Sequence, residues 1–271
     1  MLSTLLLLLG CLFVCVALRS SGHSLLFRLG NLGILGTSYL VGWKLTGYRS
    51  VGGLLASTWL LFPWIDIVTR VRNLQMPADR PLHPQAPPGP SRFPMLSEIT
   101  EELEAEGFES IDDAGWDHED QRQFVRLFIH PNLRLRATLN LVESPELSFY
   151  YLTVSSRTSE GGLWLTWNYP FSSSLKPSPN WKIQRLRGAC TVPALLDAHQ
   201  DWLDRLGAPA LMPVENDPDK LRAEIERELH SQVEHNVACG VLLHGEPGLV
   251  RYSWWGCFYL WAQFLRDLLR A

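Results

Sequence analysis

The 271-residue chain has five cysteines but no Cys-x-x-Cys pair, so no zinc knuckle or dithiol centre is written into it. Cys11 and Cys15 fall in an apolar run, leaving Cys190, Cys239 and Cys257 scattered, which is not the dense, even set of a secreted disulfide scaffold. Gly-x-Ser-x-Gly, Gly-x-x-x-x-Gly-Lys and protein-kinase motifs are missing too, which removes the commonest written signatures of hydrolysis and phosphoryl transfer. An excess of basic residues is also lacking. The net charge is −4, against the positive footprint that a general nucleic-acid binder needs. At 46% apolar and 19% charged, the composition excludes a largely disordered chain and a coiled-coil rod.

What is present is divided unevenly. Residues 1–93 carry Arg19, Arg28, Lys44, Arg49, Arg70, Arg72, Arg80 and Arg92 against only Asp66 and Asp79, a balance of +6 that leaves −10 on residues 94–271. A basic, apolar N-terminal third ahead of an acidic remainder reads as a membrane anchor joined to a separately folding domain.

The anchor is expected in residues 1–72, as two or three helices. Leu2–Leu18 is uncharged, has no Lys or Arg before it, and ends in Ala17-Leu18-Arg19, a poor cleavage site; it therefore reads as a retained segment and not a signal peptide. Leu25–Trp43 carries Gly30, Gly33, Gly36, Ser38 and Gly42, small side chains that let another helix approach. Val51–Val68 is the better span, with Trp59 and Trp64 as aromatic anchors, a kink at Pro63, and Asp66 paired with Arg70 near its exit. With three spans, the side richer in Lys and Arg carries the downstream domain, which is then cytoplasmic in a multi-pass protein.

Residues 73–94 include seven prolines between Gln75 and Pro94. They predict an extended spacer that holds the domain away from the bilayer by up to ~60 Å, at about 3.1 Å per residue.

Residues 95–245 predict an α+β domain. Ser97 caps a short helix with Leu96, Ile99 and Leu103 on its apolar face, stopped by Gly107. From Phe108 the period becomes two, giving an antiparallel meander of about five or six strands, at Phe124–His130, Leu133–Leu141, Leu147–Ser155, Leu163–Tyr169 and Trp181–Arg187 with a weaker one at Phe108–Ile111. Two further helices, opened by Thr191 with Pro193 and by Asp217-Pro218, cover one sheet face. The other face is expected to be wet, because Leu135, Ala137, Leu139 and Leu141 alternate with Arg134, Arg136, Thr138 and Asn140. Residues 246–271 close the chain with an aromatic helix too short for a span, suited to the membrane interface or to packing on the domain.

No catalytic residue, metal ligand or cofactor site is predicted. Asp117-His118-Glu119-Asp120 reads as a solvated turn, and His230 with Glu234 as an ordinary surface pair, one residue off a zinc motif. Cys190 stands too far from His199 for a nucleophile pair. The candidate binding surface is a basic patch of Arg126, Arg134 and Arg136, with His130 and Lys182, on the wet face of an acidic domain. The expected function is that of a membrane-anchored protein, more a binder than an enzyme. Its partners would be the bilayer and an anionic ligand or protein at this patch, with no nucleic acid. The competing expectation is a membrane-bound hydrolase or metal enzyme assembled from His118, Cys190 or His230.

Overall fold

The computed structural model describes residues 2–20, 24–145, 147–187 and 191–270, the side chains of 2–6, 9, 19, 24, 25, 27, 28 and 268–270 excepted. Cys190 and the side chains of Arg19, Arg28 and Arg270 lie outside the described set.

Three helices open the chain: α1 (Leu2–Arg19), α2 (Ser24–Thr46) and α3 (Arg49–Thr69), each packed on the next. Small residues set the spacing. A Cβ on Gly42 would stand 2.9 Å from the Gly52 Cα, and one on Gly52 would stand 2.5 Å from the Tyr39 O, so the close backbone approach of α2 and α3 requires glycine at both positions. Trp59 Nε1 donates to Ser38 Oγ at 2.9 Å, tying α3 to α2. Among the described residues, one helical stretch, Arg49–Asn73, is long and apolar enough to cross a membrane, with mean hydropathy 1.6. It leaves Leu54, Trp59, Phe62 and Ile65 exposed. At its exit Asp66 and Arg70 form the expected pair at 3.0 Å.

The proline-rich segment is not a spacer. Met76–Pro77 forms β1, which later pairs with a C-terminal strand, and His83–Pro84 forms β2 at the edge of the main sheet. Leu82 and Phe93 are buried, so the segment is a strap bound along the domain. Proline is tolerated here because both strands are two residues long and each takes part at a sheet edge.

Helix α4 (Leu96–Ala105) is preceded by Met95 at its N-cap without a side-chain cap, two residues before the Ser97 expected to cap it, and Gly107 ends it at φ +87°. The main sheet then runs β2-β3-β4-β5-β6-β7-β8, with β3 (Glu109–His118), β4 (Gln121–His130), β5 (Leu135–Glu143), β6 (Ser148–Arg157), β7 (Leu163–Trp167) and β8 (Trp181–Arg185). Every pairing is antiparallel except β7–β8, which is parallel, so the meander stops one strand early. Asp117 and His118 end β3, and Glu119, at φ 52°, and Asp120 form the β3–β4 turn.

Helices cover both sides of the sheet. On one side α4 and α5 (Val192–Arg205) bury Phe124, Phe128, Leu135, Ala137, Leu139, Leu141, Leu152 and Val154. On the other, α6 (Pro218–Ala238) lays Leu221 and Ile225 on Val125, Leu127 and Ile129. The expected wet face is therefore a second interior face. Arg136, Asn140, Thr153 and Ser155 are all buried on it. Thr191 and Asp217 cap α5 and α6 as their sequences predict.

A hairpin of β9 (Leu242–His244) and β10 (Leu249–Tyr252) joins β1 in a three-stranded sheet, and α7 (Trp254–Arg270) follows. Helix α7 ties α3 to the α+β domain. Trp261 Nε1 donates to Leu60 O at 2.9 Å, and Trp64 meets the Trp261 ring edge-on at 5.9 Å. From the domain, Arg185 and Arg187 reach Asp267 at 3.0 and 2.9 Å, and Ser172 also bonds it. Burial alone would raise the Asp267 carboxyl, but the Ser172 and Arg185 bonds hold it below the usual carboxylate range.

Candidate functional site

A polar cavity lies between α6 and the end of the sheet at β6–β8. It has a volume of about 520 Å³. Arg157, Glu224 and Glu228 form its inner wall, and Asn180, Arg227 and Ser231 lie toward solvent. Helix periodicity puts Glu224 and Glu228 on one face of α6, between the turns that carry Leu221 and Ile225, so the packing that buries the leucine also drives both carboxylates against the sheet. There they meet two arginines from adjacent strands. Arg136 Nη2 donates to Glu228 Oε2 at 2.7 Å, and Arg157 Nη2 donates to Glu228 Oε1 at 2.6 Å. Glu224 completes the set, 3.8 Å from Arg136 and in direct contact with Arg157.

The Arg136 guanidinium is fully enclosed. Burial opposes its charge, but Glu228 and Glu224 outweigh burial and raise its pKa above the usual arginine value. Two guanidinium groups against two carboxylates leave the inner wall without net charge. The exposed polar side chains of the cleft include Arg227, Ser231 and Asn180.

The same sheet face carries a polar chain toward its far side. Trp116 Nε1 donates to Gln123 Oε1 (2.8 Å), Gln123 Nε2 to Asn140 Oδ1 (3.1 Å), and Asn140 Nδ2 to Thr138 Oγ1 (2.8 Å), which meets Thr153 Oγ1 at 2.5 Å. These bonds cross four strands, β3 to β6, and satisfy side chains that the alternation pattern had placed in water.

The five residues expected to form one basic patch are dispersed. Arg126 lies on the α4 side, bidentate to Asp113 at 2.7 and 2.8 Å and bonded to Thr100. His130 is buried on that side, edge-on to Phe108 at 5.2 Å, and its Nδ1 accepts from Leu133 N. Lys182 lies 4.0 Å over the Trp164 ring. Arg134 stands in the turn before β5 at φ 54° and donates to Leu211 O at 2.7 Å. Arg136 alone reaches the α6 face. The patch fails as a unit because strand alternation sends Arg126 and Arg136 to opposite faces, and carboxylates or rings engage their charges.

Of the competing enzyme set, Cys190 lies outside the described residues; His118 ends β3, and His230 Nδ1 pairs with Asp79 at 2.6 Å in place of the expected Glu234. Among the described residues no group of three or more His, Cys, Asp or Glu is placed to hold a metal ion. A Ser–His contact does occur: Ser156 Oγ lies 2.7 Å from His199 Nε2, and Thr166 Oγ1 lies 2.9 Å from Nδ1. His199 is fully buried, and burial lowers its pKa to about 4. Buried, and with a hydroxyl where an orienting carboxylate would be needed, this neutral imidazole bridges α5 to the sheet.

A larger cavity, about 670 Å³, lies among α2, α3 and α7. It is walled mainly by apolar residues such as Ile34, Trp59, Phe62 and Phe264, with Asn31, Thr58 and Asp66 as polar exceptions.

Comparison with known proteins adds no second line of descent. No family model, no curated protein and no solved structure matches this chain. Function has to be read from the site itself.

Proposed function

We propose that the chain is a membrane-anchored binding protein, in which α1–α3 cross the bilayer, α7 lies along the interface, and the α+β domain offers the α6 cleft to a polar ligand or protein partner. The observation that carries this reading is the 520 Å³ cleft, whose inner wall is fixed by ion pairs while Arg227, Ser231 and Asn180 are exposed at its mouth. The multi-pass anchor is supported by the large apolar side chains that the first two helices leave exposed, including Leu7, Phe13, Val14, Leu29 and Leu32. A cytoplasmic domain is supported by Arg70, Arg72, Arg80 and Arg92, which all follow α3 on its domain side.

Affinity capture from detergent-solubilised membranes tests the cleft. Wild type is compared with Arg227→Glu/Ser231→Arg, which reverses one charge at the mouth and fills part of it. Both positions are exposed, so folding is retained. The double variant is expected to lose at least one ligand or partner that wild type captures reproducibly. Identical captured sets would exclude the cleft as the binding surface.

A further inference from the structure

The strap between β1 and β2 carries a cation for which the fold supplies no counter-ion. The Arg80 guanidinium carbon lies 5.1 Å from the centroid of the Trp116 ring on β3, and the hydroxyls of Tyr151, Tyr169 and Tyr252 are close enough to act on it electrostatically. Its Nε is enclosed and has no hydrogen-bond partner. The inward arginines of the main sheet are treated differently: Arg126 has Asp113, Arg136 and Arg157 have Glu224 and Glu228, and Arg185 has Asp267. Asp79, next to Arg80 in sequence, pairs with His230 instead. Among the described residues no carboxylate forms an ion pair with Arg80.

The surroundings of Arg80 are rich in donors. Trp167, stacked on Tyr169 at 5.0 Å, has an Nε1 that is likewise enclosed and unpartnered. Tyr169 stands edge-on to Tyr151 at 4.9 Å, and the Tyr151 oxygen accepts from Gln123 Nε2 at 3.5 Å, which leaves its own proton free to donate. Burial pushes Tyr151 and Tyr169 upward and Tyr252 to about 12, so all three stay protonated at neutral pH. Arg80 is half-buried, and desolvation pulls its guanidinium below the usual range with no carboxylate paired to it.

We propose that Arg80 and the aromatic cluster beside it form a binding site for a phosphate oxyanion, held by the guanidinium and by the Tyr151 and Tyr169 hydroxyls. A guanidinium presents a planar fork that matches phosphate oxygens, and aromatic rings exclude competing water. Arg80 follows the apolar stretch Arg49–Asn73 by seven residues, and Tyr252, whose hydroxyl donates to Ser174 O, lies two residues before α7. The phosphate can therefore come from an anionic lipid headgroup or from a soluble phosphate.

Full-length protein in nanodiscs tests both sources. In one arm the discs are pure phosphatidylcholine and inorganic phosphate is titrated in, with tryptophan fluorescence and the unfolding temperature as readouts. In the other, the discs contain phosphatidic acid, and lipid retained after extraction is counted by native mass spectrometry. Wild type is expected to respond in at least one arm, and the responding arm identifies the source. Arg80→Gln should weaken that response by about tenfold or more, as loss of a charge-assisted contact does. Without phosphate or acidic lipid, Arg80→Gln should unfold at the same temperature as wild type or higher, because it removes an uncompensated charge. A merely structural arginine would give the opposite shift. Tyr169→Phe keeps the ring and removes one donor, so it should weaken binding even if Arg80→Gln folds poorly. No wild-type response in either arm, or a response unchanged in both variants, would overturn the proposal.

Discussion

Arg136→Met should cost the folded protein about 3 kcal/mol, at the lower end of the range for removing one partner from a buried ion pair. The loss comes from what is left behind more than from the bond removed. Glu228 has a side-chain exposure of 9% and Glu224 of 20%, so neither carboxylate can recover its hydration. Arg157 still holds both, which is why the lower end applies. Arg136→Met/Glu228→Leu should recover much of the loss, since an apolar pair of similar volume leaves less charge uncompensated. Chemical unfolding of the full chain in detergent measures both variants. A loss below about 1 kcal/mol for the single variant would mean that water reaches the inner wall of the cleft.

The second large effect is a pH dependence. His199 titrates at about 4 in the folded protein against an ordinary 6.5. Between those values the unfolded chain takes up a proton that the folded chain refuses, so stability falls as pH drops through this window. The full loss is about 3 kcal/mol, reached below pH 4. His199→Gln keeps a polar side chain between Ser156 and Thr166 but has no proton to gain. Subtracting its stability curve from that of wild type removes shared contributions, including Asp267, and should leave a slope confined to pH 4–6.5. Parallel curves would contradict a buried neutral imidazole.

Much of the α+β domain is legible from local chemistry. Thr191 with Pro193, and Asp217 with Pro218, open α5 and α6 where they are expected, because caps and first-turn prolines act within a few residues. The partners that decide the second face are distant. Arg136 meets Glu228, 92 residues away, and Arg126 meets Asp113 across a hairpin. Alternation shows that Arg136, Thr138 and Asn140 point away from the leucines, but not whether water or a helix waits there. The proline-rich strap misleads for a related reason: edge pairing of two residues leaves no periodicity to detect. One signal was available and missed. Glu224 and Glu228 lie four apart beside the apolar positions Leu221 and Ile225, a spacing that turns acids toward a core and calls for arginines opposite.

Everything proposed for the cleft and the Arg80 site assumes that the N-terminal helices reside in lipid. Washing membranes that contain the full-length chain with alkaline carbonate tests this most directly. The protein should remain in the pellet and enter solution only with detergent. Recovery of the intact chain as a monodisperse species in the aqueous supernatant would contradict the account.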